Sequence, residues 1–231
     1  MTLTETETET ERPALRKLCC HHLKKCGGTS FNAWLDTQFP AYTDDFRTLE
    51  KNAIRGVAKT SNPNMDQRAK KQAFADALFK VRDLNHSHLG ISSQAPAGTF
   101  RFTVLRRAQD RLLSQVRDYR RLSEHSLATA NKAARQAIRD AKAMPLRAYL
   151  EKQSQQEHRH HLYLDNYMVR AIAHNRVGLM ARDTSDTMQL LPVALDVLEQ
   201  DMEFVGILEQ GTANNAVLTT ALDWMPVTYV P

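Results

Sequence analysis

A short apolar segment at residues 15–23 leads directly into a glycine-containing loop. The loop contains, in order, Lys24, Lys25, Cys26, Gly27, Gly28, Thr29 and Ser30. Phe31, Trp34 and Leu35 then recur at the spacing of an α-helix. The order strand, glycine loop, helix is typical of a domain that builds a parallel sheet covered by helices.

The composition of this loop suits an anion. Glycines let the backbone turn tightly, and the free N–H groups at the start of a helix favour phosphate. Lys25 adds a mobile positive charge, and Thr29 and Ser30 add hydroxyl donors. The loop is not a Walker A motif, because its lysine precedes the glycines. An ordinary glycine turn with a Thr or Ser N-cap is the alternative interpretation.

Strand and helix patterns alternate along the rest of the chain. Helical periodicity or composition is found at 66–82, 109–122, 126–176 with a break at Pro145, 192–201 and 214–224. Strand composition is found at 81–89, 100–105 and 203–208. We therefore expect an α/β fold with a central parallel sheet and a helical segment in its second half.

The termini, cysteines and hydropathy limit the class of protein. Thr-Glu repeats make residues 1–11 a predicted disordered acidic tail, which leaves residues 12–231 as one domain. No segment approaches the ~18 uninterrupted apolar residues of a membrane span. Three clustered cysteines, an odd number, favour reduced thiols and hence a cytoplasmic location.

Positive charge is concentrated after the strand at 100–105. Residues 101–121 hold seven arginines against two aspartates, which accounts for the whole net charge of +5. Guanidinium groups match phosphate and sulfate oxygens in paired hydrogen bonds. Arg111 and Ser114 share a helix face, and Arg106 at the strand end is placed to join them on one anion. A solvated basic helix face is the alternative.

Together, the two strand-to-helix junctions resemble the PAPS-dependent sulfotransferases, in particular the carbohydrate sulfotransferases and their bacterial relatives; PAPS is 3′-phosphoadenosine 5′-phosphosulfate. The segment His-Leu-Lys-Lys-Cys-Gly-Gly-Thr-Ser at 22–30 is similar to the family's phosphosulfate loop, His-x-Pro-Lys-Thr-Gly-Gly-Thr-Ser. The segment Leu-Arg-Arg-Ala-Gln-Asp-Arg-Leu-Leu-Ser at 105–114 is similar to its 3′-phosphate segment, Leu-Arg-Asp-Pro-x-x-Arg-x-x-Ser. The resemblance implies a P-loop-NTPase-like three-layer sandwich.

Two weaker similarities follow in the family's order, and two departures accompany them. Residues 165–170 look like the family's Asn-Tyr-x-x-Arg segment and residues 204–209 like its Phe-Val-Gly-x-x-Glu strand. Cys26 replaces the usual Thr, and Arg107-Ala108 replaces Asp-Pro. The resemblance then implies a donor site formed by Lys25, Cys26, Gly27, Gly28, Thr29, Ser30, Arg106, Arg111, Ser114 and Arg170.

The implied reaction moves a sulfuryl group from PAPS to a hydroxyl of a carbohydrate or hydroxylated metabolite and releases PAP, the 3′,5′-bisphosphate of adenosine. Lys25 would stabilise the charge that develops on the leaving phosphate oxygen. The resemblance makes His86, four residues before Gly90, the first candidate for the general base, and His88 the second. No metal is required, and His158, His160 and His161 read as a polar helix segment.

Two other functions remain open from the sequence. A nucleotide or small-molecule kinase shares this fold class but needs a Walker lysine and an acidic magnesium ligand, which the expected positions lack. A non-catalytic nucleic-acid-binding protein would use the basic segment 101–121. That segment lacks interleaved aromatic residues for stacking on bases, so we expect no nucleic-acid partner.

Overall fold

A computed structural model describes residues 17–27, 33, 67–81, 84–88, 90, 92–129, 132–156, 164–178 and 187–222. Within them, strands β1 (Leu18–His21), β2 (Leu84–Ser87), β3 (Phe100–Leu105) and β4 (Phe204–Ile207) form a parallel sheet in the order β2-β1-β3-β4. The predicted parallel sheet is therefore confirmed. The predicted tail at 1–11 and the predicted helix after Ser30 lie outside the described residues, apart from Ala33.

The described α-helices lie close to their predicted positions. Their bounds are α1 Gln67–Val81, α2 Ala108–Arg121, α3 Glu124–Thr129, α4 Lys132–Ala143, α5 Leu146–Ser154, α6 Tyr167–Val177, α7 Leu191–Gln200 and α8 Gly211–Leu222. None of these helices combines the length and apolar character needed to cross a bilayer.

Helices cover both faces of the sheet. Because side chains alternate along a strand, Cys19 and Cys20 of β1 point to opposite faces. Cys19 packs with Leu78 and Phe79 of α1, and Cys20 packs with Phe102 of β3 and a leucine of α8. All four residues of β1 are buried, as expected for a central strand of a sheet covered on both sides. The structure thus confirms an α/β fold with a central parallel sheet.

The chain after β3 is helical from α2 to α5, as the sequence predicts. The break at Pro145 is confirmed, because α4 ends at Ala143 and α5 begins at Leu146. The Arg120 guanidinium donates to the carbonyl oxygens of Ala141 (2.8 Å) and Met144 (3.0 Å). These bonds satisfy acceptors at the end of α4 that have no partner within the helix, and they fix α4 against α2.

Candidate anion site at the carboxyl edge of the sheet

The loop after β1 and the junction after β3 touch each other. These neighbouring strands are parallel, so both segments leave the same edge of the sheet. The Arg106 Nη1 donates a hydrogen bond to the Lys25 carbonyl oxygen at 3.1 Å. Arg106 Nε is buried and has no hydrogen-bond acceptor among the described residues. The structure therefore brings together the two segments that the sequence singles out for anion binding.

The loop backbone is tightly turned. Lys25 has a φ of +65°, which is uncommon for a residue with a side chain, and Gly27 has a φ of +85°. The Cys26 N–H donates to the Leu23 carbonyl at 3.2 Å and closes the turn. A Cβ added at Gly27 would lie 2.6 Å from Leu208 Cδ1, so the Leu208 side chain would have to shift, and the φ of +85° would be strained for any residue with a side chain.

Lys25 and Cys26 have different surroundings. The Lys25 Nζ forms an ion pair with Asp118 of α2 at 3.0 Å, on a partly exposed surface. Cys26 is 4% exposed, and burial raises the pKa of its thiol to about 11. Its charge environment includes the guanidinium groups of Arg106 and Arg111. Cys26 is thus a neutral thiol that is buried within the loop. All three cysteines of the chain are free thiols.

Arg111 is buried on the side of α2 that faces this loop, at 3% exposure. Its guanidinium carbon lies 4.9 Å from the centre of the Tyr167 ring, a cation–π arrangement. Burial lowers the pKa of Arg111, while the neighbouring Cys26 and Tyr167 act in the opposite direction. The Tyr167 hydroxyl accepts a hydrogen bond from the Lys24 backbone N–H at 3.0 Å.

The start of α2 is stabilised by a carboxylate from the short 3-10 turn, Leu208–Gln210, that follows β4. The Arg107 backbone N–H donates to Glu209 Oε1 at 3.1 Å, and the Arg107 side chain pairs with Asp110 at 3.5 Å. Arg107 itself, at the N-cap position, makes no side-chain cap. Glu209 therefore satisfies an N–H group at this helix end.

Two histidines lie beside the loop as a stacked pair. The rings of His22 and His88 have centroids 4.3 Å apart, and His88 Nδ1 contacts the His22 carbonyl oxygen. A carbonyl only accepts, so His88 carries its proton on Nδ1 and leaves Nε2 as an acceptor. Burial lowers the pKa of both rings, that of His22 to about 4.

His86 lies in β2, paired in register with Cys20 of β1, and its side chain lies outside the described set. The structure brings His88 into contact with His22, which precedes the loop.

His21 is held neutral in the core. Its Nδ1 lies 3.0 Å from the side-chain nitrogen of Asn175, whose oxygen accepts the Ser92 N–H at 3.0 Å. The Asn175 nitrogen also donates to the Ile172 carbonyl at 2.9 Å. Burial is the main reason that the pKa of His21 falls to about 3. His21 is therefore a buried packing residue.

Arg170 is oriented by the start of α6. Its guanidinium donates to the Asp165 carboxylate at 2.7 Å and to the Asp165 carbonyl at 3.3 Å, and the residue is 6% exposed. Ser114 is half-buried one turn after Arg111. The structure brings together Lys25, Cys26, Arg106 and Arg111.

Some predicted residues lie outside the described part of the chain. These are Gly28, Thr29, Ser30 and the histidines at 158, 160 and 161. Within the described part, no group of three or more His, Cys, Asp or Glu side chains is arranged to hold a metal ion.

No protein-family model, no curated protein and no solved structure matched the chain.

Proposed function

We propose that this protein is a PAPS-dependent sulfotransferase with a P-loop-NTPase-like fold. The observation that carries the proposal is the hydrogen bond from Arg106 to the Lys25 carbonyl. It joins the loop that resembles a phosphosulfate site to the segment that resembles a 3′-phosphate site. PAPS carries anionic groups on both the 5′ and the 3′ side of its ribose. A donor site therefore needs two anion-binding segments side by side.

Charge and burial at this edge support a nucleotide anion as the ligand. Lys25, Arg106 and Arg111 supply three cationic groups, and the buried Arg106 Nε is a donor that still has capacity. A buried donor without a partner is costly, and a phosphate oxygen is a strong acceptor that would offset that cost.

The reaction would proceed by in-line attack. An acceptor oxygen forms a bond to sulfur while the bond from sulfur to the phosphate oxygen breaks, and PAP leaves. Lys25 and loop amides stabilise the charge on the leaving oxygen, and losing one such preorganised donor typically costs ~3–4 kcal/mol in barrier. The acceptor proton passes to a histidine.

His88 suits the role of general base because its Nε2 is unprotonated and can accept the proton. The family resemblance names His86 as the first candidate for the same role. A general base adds ~10²–10⁴ in rate. The proposed acceptor is a carbohydrate or hydroxylated metabolite, and the scheme uses no metal.

The arrangement of the basic segment argues against a broad nucleic-acid surface. Arg101 pairs with Glu203 at 2.7 Å, Arg111 is buried, and Arg120 binds helix carbonyls. These guanidinium groups are engaged within the protein, whereas a duplex- or strand-binding face presents them to solvent. Elution of the protein from PAP–agarose by free PAP would support a nucleotide site. Elution from heparin by salt alone would support a diffuse basic surface that binds nucleic acid.

The test is calorimetric titration of the purified protein with PAP. We expect micromolar binding by the wild type, and a loss of at least tenfold in both Lys25→Ala and Arg106→Ala. Arg121→Ala is the matched control, because it removes the same charge from the exposed end of α2. Absence of PAP binding by the folded wild type, or equal losses in all three variants, would contradict the proposal.

A further inference from the structure

Tyr167 lies where three elements of the candidate site meet. It is the first residue of α6, and it contacts both the loop after β1 and the buried guanidinium of α2. The chain separation is large, since Lys24 precedes it by 143 residues. Neither contact is a feature of a local sequence pattern.

The hydroxyl and the ring of Tyr167 make different contacts. The hydroxyl accepts the Lys24 N–H at 3.0 Å, one residue before the strained Lys25. The ring lies 4.9 Å from the Arg111 guanidinium carbon, so it limits where that planar group can lie. One side chain therefore contacts the loop through its oxygen and α2 through its aromatic face.

We infer that Tyr167 is a positioning residue of the donor site, which sets the loop through its hydroxyl and Arg111 through its ring. This inference rests on the proposed function. It divides the site into two separable halves. The hydroxyl would act on the half that holds the 5′-phosphosulfate, and the ring would act on the half that holds the 3′-phosphate.

The two halves can be measured with two nucleotides. PAP carries a 3′-phosphate, and adenosine 5′-monophosphate differs from it only in lacking that group. The affinity for each, and their ratio, are measured by titration calorimetry. A change confined to the loop weakens both nucleotides alike and leaves the ratio unchanged. A change in Arg111 lowers the ratio, because only PAP has the group that Arg111 would bind.

Tyr167→Phe and Arg111→Lys are the two diagnostic variants. Tyr167→Phe keeps the ring and removes the acceptor of the Lys24 N–H, so we expect about a fivefold loss for both nucleotides at constant ratio. Arg111→Lys keeps the charge but loses the planar stack, so we expect the preference for PAP to fall about tenfold. Tyr167→Leu removes both contacts and combines the two effects.

A double-mutant cycle tests whether the Tyr167 ring acts through Arg111. If the ring acts through Arg111, then Tyr167→Leu lowers the ratio far less in the Arg111→Lys background than in the wild type. Circular dichroism and thermal melting establish that each variant is folded. If Tyr167→Leu does not fold, the titrations of Tyr167→Phe and Arg111→Lys alone test the inference.

The outcomes for the inference and for the proposed function differ. Wild-type protein that binds neither nucleotide overturns both. Wild-type protein that binds PAP, with Tyr167→Phe binding both nucleotides as tightly, overturns the inference and leaves the proposed function standing. A lower ratio of the two affinities in Tyr167→Phe also overturns the inference. That variant keeps the ring, so the ring would then not be the group that orders Arg111.

Discussion

The ion pair between Lys25 and Asp118 leads to an unusual prediction: Asp118→Asn should strengthen PAP binding. The Nζ–Oδ1 distance is 3.0 Å, so Asp118 neutralises the cation that the donor would need. An anion bound at Lys25 would also lie close to the Asp118 carboxylate and be repelled by it. Replacing the carboxylate by an amide of the same shape removes both effects.

The size of the gain depends on how well water screens the site. Two like charges about 6 Å apart repel by ~0.7 kcal/mol in bulk water and ~3 kcal/mol at an effective dielectric constant of 20. The Lys25 and Asp118 side chains are 27% and 45% exposed, which places the pair nearer the aqueous limit. We therefore expect PAP to bind about three- to tenfold more tightly. The cost to folding should be small, ~0–1 kcal/mol, because exposed ion pairs contribute little.

The assay is calorimetric titration with PAP at low and at high salt, with chemical denaturation to measure stability. Glu151→Gln is the control, because it changes the net charge equally at an exposed pair with Arg147 on α5. The gain in Asp118→Asn should shrink at high salt, where the Debye length is short. Unchanged or weaker binding in folded Asp118→Asn, or an equal gain in the control, would refute the reasoning.

Two further predictions concern the loop and the core. Gly27→Ala should lower the free energy of unfolding by ~1–3 kcal/mol and weaken PAP binding, because its Cβ would lie 2.6 Å from Leu208. Gly98→Ala, at φ +77° with open space around it, should lower the free energy of unfolding by less, as measured by urea denaturation. Equal losses in the two variants would contradict a role for close packing. The pKa of His21 in the folded protein, about 3, lies below its ordinary value of 6.5, so the unfolded state binds more protons and stability should fall as pH drops from 6.5 towards 3. The slope should reach ~1.4 kcal/mol per pH unit in urea unfolding and flatten in His21→Asn, whereas a wild-type slope unchanged by that substitution would show that His21 is not the titrating group.

Local patterns are sufficient to predict several of the described elements of the fold. Strand β3 occupies the predicted residues, and α1 and α2 differ from their predicted bounds by one residue at each end. These segments carry strong period-2 or period-3.6 signals or β-branched and aromatic residues. The break at Pro145 follows from the missing N–H and fixed φ of proline.

Long-range contacts at the site could not be predicted in the same way. The pairing of Asn175 with His21 joins residues 154 apart, and a polar residue within an apolar helix face gives no sign of its partner. The family resemblance implies that Lys25 and Arg106 lie in one donor site. The structure brings them together because β1 and β3 are parallel neighbours that end at one edge of the sheet. The Asp118 partner of Lys25 depends on side-chain packing, for which the sequence has no signal.

The departure at Arg107-Ala108 has a physical counterpart in the structure. An Asp-Pro pair would supply a carboxylate and a preset φ to the start of the helix. Here a carboxylate comes from the 3-10 turn after β4, since Glu209 accepts the Arg107 N–H, and Asp110 supplies a second one in the first turn. Negative charge at a helix N-terminus is favourable wherever in the chain it originates. The start of α2 is therefore stabilised by the carboxylates of Glu209 and Asp110, while the Arg107 side chain adds positive charge to the junction.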